Sequence, residues 1–379
     1  MWIEHGHEAD RQGSRWARSI AATALWLAAL APVAHGQLPP VQPPPLWKQV
    51  PSSEGACSVE KSCAELAPEM IRSALGESPL AENVKTLARA IGPRVPGSPA
   101  VANAALWAVE AFRKAGADDV HVERSPLTLG HRNEGGRAPS ENVIAEIRGR
   151  EKTDEYVLIG AQLDSTASVE DSFAGACAVA TLIDAARVIH SSGSIPRRSI
   201  RFVLFTGSEQ EMHGSEAYVQ SNRADLNSLI AAVFFEPGAG AIRGYSLDGR
   251  GDALAAVREA LMPVASLGVK EFTVDAVMGA NDLDFILEGV PTLVTRQEGN
   301  GQGSAGDLDL PPAVITELKR HAAIAAVTAY ALADGEGRVA KRQSRPEIEQ
   351  LLKNTKLDQQ MKTAGIWAAW ERGERGRQP

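Results

Sequence analysis

The sequence predicts an α/β fold, a three-layer sandwich with a mixed, mostly parallel sheet flanked by helices. Three observations predict it. From about Pro79 to Ala333, strand-like apolar runs alternate with helical ones, the order that builds parallel sheets through crossover helices. Hydrophobic residues make up 44% of the chain and charged residues 23%, an ordinary globular balance. The polar motifs fall on loops after the apolar runs, where such sheets place their working groups.

The 379-residue chain opens with Arg11, Arg15 and Arg18 ahead of an apolar stretch over 20–33, then the small residues Ala34 and Gly36. That order predicts a signal peptide over 1–36, cut after Gly36, and a secreted or periplasmic protein. The competing reading is a retained N-terminal anchor. Residues 37–78 form a second segment. It holds a proline-rich linker (37–51) and Cys57 and Cys63, six positions apart. Export permits a Cys57–Cys63 disulfide, against two free surface thiols. Cys177, in an alanine-rich helical run, reads as a buried small hydrophobe.

The third segment, 79–335, is the main domain. Helices are predicted over 81–91 and 100–114. Strands follow at 142–147, 156–160, 200–205 and 229–235, with helices at 175–190, 215–220 and 282–287 among them. A short strand at 292–295 and a long helix over 313–333 close the domain. The fourth segment, 336–379, is a basic helical tail, with nine Lys/Arg and five Asp/Glu from residue 340 onward. Trp367 and Trp370 would dock it on the acidic body; the alternative is an anionic partner. The whole chain carries 39 Lys+Arg against 47 Asp+Glu, a net charge of −8, which argues against a nucleic-acid partner. No uninterrupted apolar run reaches the ~18 residues of a transmembrane span.

Four strand-end loops stand out: Gly160-Ala161-Gln162-Leu163-Asp164-Ser165, Thr206-Gly207-Ser208-Glu209-Gln210, Phe235-Glu236-Pro237-Gly238 and Asn300-Gly301-Gln302-Gly303-Ser304. Together with Ile91-Gly92-Pro93-Arg94-Val95-Pro96-Gly97-Ser98 and Gly214-Ser215-Glu216-Ala217-Tyr218, their order resembles the co-catalytic di-zinc aminopeptidases. That family includes bacterial leucyl aminopeptidases and plasma glutamate carboxypeptidase. The resemblance implies two zinc ions roughly 3.5–4 Å apart, bridged by a carboxylate and served by a glutamate base.

Placed on that pattern, the first zinc-binding histidine is Gln162, and Asp164 is the residue that orients it from behind. The bridging aspartate falls on Ala174, with Asp171 one shift of three residues away. The base falls on Ser208, and one ligand survives beside it as Glu209. Glu236 matches a further ligand, Gln302 the last histidine, and Asp282 an aspartate some members carry. An amide is a poor zinc donor, so no cofactor is expected, with zinc the cofactor if the site is active. Arg296 is a candidate to offset the Glu209 and Glu236 charges, and His213 a candidate substitute ligand. Two functions follow. One is a catalytically inactive relative that binds a peptide or protein. The other is an active metallo-exopeptidase with an altered metal site.

Overall fold

The structure, a computed structural model, describes residues 62–125, 139–208, 212–276, 281–299 and 310–378. The expected signal peptide, Cys57, His131, Glu209 and Gln302 lie outside the described residues.

Eight strands form one sheet: β1 (Asp119–Ser125), β2 (Ser140–Ile147), β3 (Lys152–Gln162), β4 (Arg198–Phe205), β5 (Leu229–Phe234), β6 (Ile242–Ser246), β7 (Glu271–Thr273) and β8 (Thr292–Gln297). Their spatial order is β1-β2-β4-β3-β5-β8-β6-β7. The centre, β4-β3-β5-β8, is parallel, as is the β6–β7 pair. The β1–β2, β2–β4 and β6–β8 pairs are antiparallel. The sheet is therefore mixed and mostly parallel.

The helices are α1 (Cys63–Leu75), α2 (Leu80–Lys85), α3 (Pro99–Lys114), α4 (Val169–Ser191), α5 (His213–Ser221), α6 (Leu254–Ala260), α7 (Leu283–Leu287), α8 (Pro312–Asp334), α9 (Arg345–Asn354), α10 (Leu357–Thr363) and α11 (Trp367–Glu371). The period of two in each strand sorts side chains to two faces. Val157, Ile159, Ile200, Phe202 and Leu204 join the larger core with α1 to α4 and α8. Tyr156, Leu158, Val203 and Phe205 face the other way, toward Tyr218 of α5 and Phe285 of α7. Both faces are covered, which is why β3, β4 and β5 read as continuous apolar runs.

Two features differ from the sequence reading. First, α1 lies inside the 37–78 segment beyond the 37–51 linker, where no helix is predicted, and Leu66, Ala67, Met70 and Ala74 are buried in the main core while the helix packs on α8. Its start signal is the Ser62/Glu65 capping box, with Ser62 N donating to Glu65 Oε2 at 2.8 Å. The folded body thus extends upstream of residue 79. Second, β6 and β7 had no apolar signal. Gly244 makes their pairing possible, because a Cβ there would lie 1.6 Å from the Glu271 carbonyl oxygen.

Long and apolar enough to cross a membrane by composition, α4 instead has most of its residues buried against the sheet and α8. It is a core helix, and Cys177 is buried within it. Cys63 opens α1, half-buried and without a disulfide among the described residues.

Candidate functional site

The parallel centre sets the site. Gln162, the last residue of β3, is in register with Phe205, the last of β4. Gly160 pairs with Phe234 at the end of β5, and Phe234 with Val294 of β8. The loops carrying Gln162, Ser208 and Glu236 therefore leave the sheet side by side.

Gln162, Glu236 and Asn281 line one cavity of about 20 Å³, together with Gly160, Phe234, Phe235 and Pro237. That volume suits about one water molecule. The other positions close around it. Ser208 Oγ donates to Asn281 Oδ1 at 2.9 Å. The Ala174 carbonyl accepts from Gly238 N at 3.0 Å, fixing the loop after Glu236 to the first turns of α4. Glu236 N donates to Thr295 Oγ1 at 3.0 Å, and Gln297 Nε2 donates to the Glu236 carbonyl at 2.8 Å. The fold thus brings Gln162, Ala174, Ser208 and Glu236 to one place.

Asp171 is committed elsewhere. Its Oδ2 accepts from Thr166 N at 2.6 Å and caps the loop before α4. His213, buried at the start of α5, donates its backbone N to the Gly207 carbonyl at 3.1 Å. His321 is a packing residue. It is 2% exposed, its Nε2 lies 2.7 Å from the Gly240 carbonyl, and burial pushes its pKa down to about 4.

Arg296 does not serve Glu236. Its guanidinium donates to Asp275 Oδ2 at 2.9 Å and Thr273 Oγ1 at 3.0 Å, toward β7. Strand periodicity explains the correction: Thr295 and Gln297 face the Glu236 loop, so Arg296 between them faces away. Burial pushes the Glu236 carboxyl above the usual range. The nearby charges are acids. Asp248 and Asp282, 2% and 1% exposed, are buried close enough for each to act on the other's titration. Burial holds both above the usual carboxylate range; the charge of Glu236 adds to each, and that of Asp248 adds to Asp282.

Three residues of this arrangement escaped the sequence reading. Asn281 reaches Ser208 from the loop before α7. Asp248 sits in a tight turn at φ 46°, and its signal was the Asp248-Gly249 pair. Arg94, in the 91–98 motif, is wholly buried and ties the Gln162 loop to α4. It donates to Leu163 O at 2.6 Å, Ser172 Oγ at 2.9 Å, Ser172 O at 3.0 Å and Gly92 O at 3.1 Å. Asp164, 1% exposed, counters the Arg94 charge.

The donor set decides whether zinc fits. Zinc favours imidazole, thiolate and carboxylate. Among the described residues the cavity offers one carboxylic acid, Glu236, and two amides, Gln162 and Asn281. Asp248 and Asp282 are engaged with each other. No group of three or more His, Cys, Asp or Glu suited to a metal occurs among the described residues. This set does not fit a pair of zinc ions.

Comparison with known proteins gives the ancestry. Residues 142–301 match the profile of Peptidase family M28. Carboxypeptidase Q of Rattus norvegicus is 26% identical over 202 residues, which are 52% of this chain and 42% of that protein. The match thus spans under half the length of that relative. The solved Peptidase M28 precursor of Shewanella amazonensis SB2B superposes with a TM-score of 0.64 at 20% identity, over 74% of this chain and 99% of that one. BSAP, a zinc aminopeptidase from Bacillus subtilis, gives 0.52 at 13% identity, over 73% of this chain and 98% of that one. The two structures establish the fold, and the family profile covers under half of this chain.

Proposed function

We propose that this protein is a secreted or periplasmic M28-type protein that has lost peptidase chemistry and acts by binding a peptide or protein. The observation that carries the reading is the cavity itself. Where the family would hold two metals, Gln162, Glu236 and Asn281 enclose room for about one water. Ser208 stands at the base position and is hydrogen-bonded to Asn281. A serine there cannot take a proton from water at neutral pH, and loss of a general base alone costs roughly 10²–10⁴ in rate. The alternative, an active exopeptidase with an altered metal site, draws its support from family membership.

The test is metal content and turnover of the purified protein. The reading predicts zinc-free protein, no release of amino acids from short peptides, and a melting temperature that rises with a bound peptide. About two zinc per chain with turnover would overturn it. The combined variant Gln162→His, Ala174→Asp, Ser208→Glu and Gln302→His should acquire zinc, because it restores imidazole and carboxylate donors at the positions of the family pattern.

A further inference from the structure

The C-terminal helices pack onto the site. Ile348, Leu351, Leu352, Leu357, Met361 and Trp370 form a third core with Leu283, Ile286 and Leu287 of α7, and with Met212 from the loop that follows Ser208. At the end of the chain Arg375, 3% exposed, grips Asp284 of α7 with both prongs. Its Nε donates to Oδ1 at 2.7 Å and its Nη2 to Oδ2 at 3.0 Å. The same Asp284 Oδ2 accepts from Ser215 Oγ of α5 at 2.7 Å, and Ser215 Oγ lies 3.0 Å from the Met212 carbonyl. Arg375 Nη1 also lies 3.8 Å from Glu216 Oε2. One guanidinium thus joins two segments. The first, α5 with Met212, follows Ser208; the second, α7, follows Asn281 and Asp282.

The tail is held to this position by its own contacts. Arg377 N donates to the Leu287 carbonyl at 2.9 Å. Arg345 stacks on the Trp370 ring at 3.9 Å and donates to the Trp370 carbonyl. Gly376 has φ +80°, and a Cβ there would meet Trp370 at 2.7 Å and Leu287 at 2.8 Å, so only glycine lets the chain lie this close to α7.

We infer that Arg375 is a positioning residue, and that the tail from Arg345 to Arg377 is a strap holding the Ser208 and Asn281 segments in register across the cleft. The strap does not depend on whether the cleft is catalytic. It acts through Asp284 and Ser215.

The test is amide hydrogen exchange on the full chain, comparing α5 and α7 with the distant β1–β2 edge. Arg375→Ala should raise exchange in α5 and α7 about tenfold or more and leave the β1–β2 edge unchanged. Arg375→Lys, which keeps the charge and loses the fork, should recover part of that protection. Should Arg375→Ala fail to fold, Ser215→Ala decides. It should expose the start of α5 while α7 and the tail stay protected. A uniform rise across the protein, a rise confined to the tail, or an unchanged α5 in Ser215→Ala would each overturn the assignment.

Discussion

Asp282 and Asp284 stand two residues apart and are equally buried, each 1% exposed, yet the fold treats them in opposite ways. Asp284 faces a cation. Arg375 and Ser215 satisfy both of its oxygens with charge-assisted and neutral hydrogen bonds. Asp282 faces other acids. Burial and the charges of Asp248 and Glu236 push it toward its neutral form. A buried carboxylate needs a counter-charge or a proton. One turn of chain uses both solutions, the first to fasten a helix and the second beside the Glu236 loop.

The largest way to break this contrast is to remove the cation. Arg375→Ala leaves Asp284 buried and unpaired, and should cost about 3–5 kcal/mol in urea unfolding. The double replacement Arg375→Met with Asp284→Leu should cost far less, because no charge is then stranded. Equal losses would mean that Asp284 does not depend on its partner.

The acid pair should show itself through pH. Its raised pKa values mean that the folded state keeps a proton the unfolded chain has released. Stability should therefore fall as pH rises from the ordinary carboxylate range through about 7, where Asp248 titrates. The slope is bounded by ~1.4 kcal/mol per pH unit for each retained proton. Asp248→Asn should flatten that descent in a series of melting curves from pH 5 to 8, while Asp284→Asn leaves it in place.

Smaller effects sharpen the same picture. Glu236→Gln removes a repelling charge, so the descent should end at lower pH, by the same melting series. Arg296→Ala breaks only an exposed pair with Asp275, the two side chains being 40% and 66% exposed. It should change stability by under about 1 kcal/mol and leave the pH profile unmoved. A profile that shifted would put Arg296 back beside Glu236.

Much of the fold is legible in the residues. The central strands are buried on both faces and show as unbroken apolar runs, and the loops at their ends carry the family's spacing. The less apolar elements were not legible. Helix α1 announces itself only through a capping box and a spaced apolar face, and β6 and β7 rest on a glycine that permits close approach. Within the site, Gln162, Ser208 and Glu236 follow from position along the chain. Arg94, Asn281, Asp248 and Arg375 do not, because each acts on a segment far away in sequence. Arg296 was assigned to the wrong neighbour because nearness along β8 ignores which face of the strand a residue occupies.

The sequence by itself determined the central strands and the loops at their ends, since these follow from apolar periodicity and from residue identity at fixed spacing. Only the tertiary structure decided which buried acid receives an arginine and which is surrounded by other acids. Coulomb interaction and desolvation depend on distance through space, and the chain sets that distance only once it has folded.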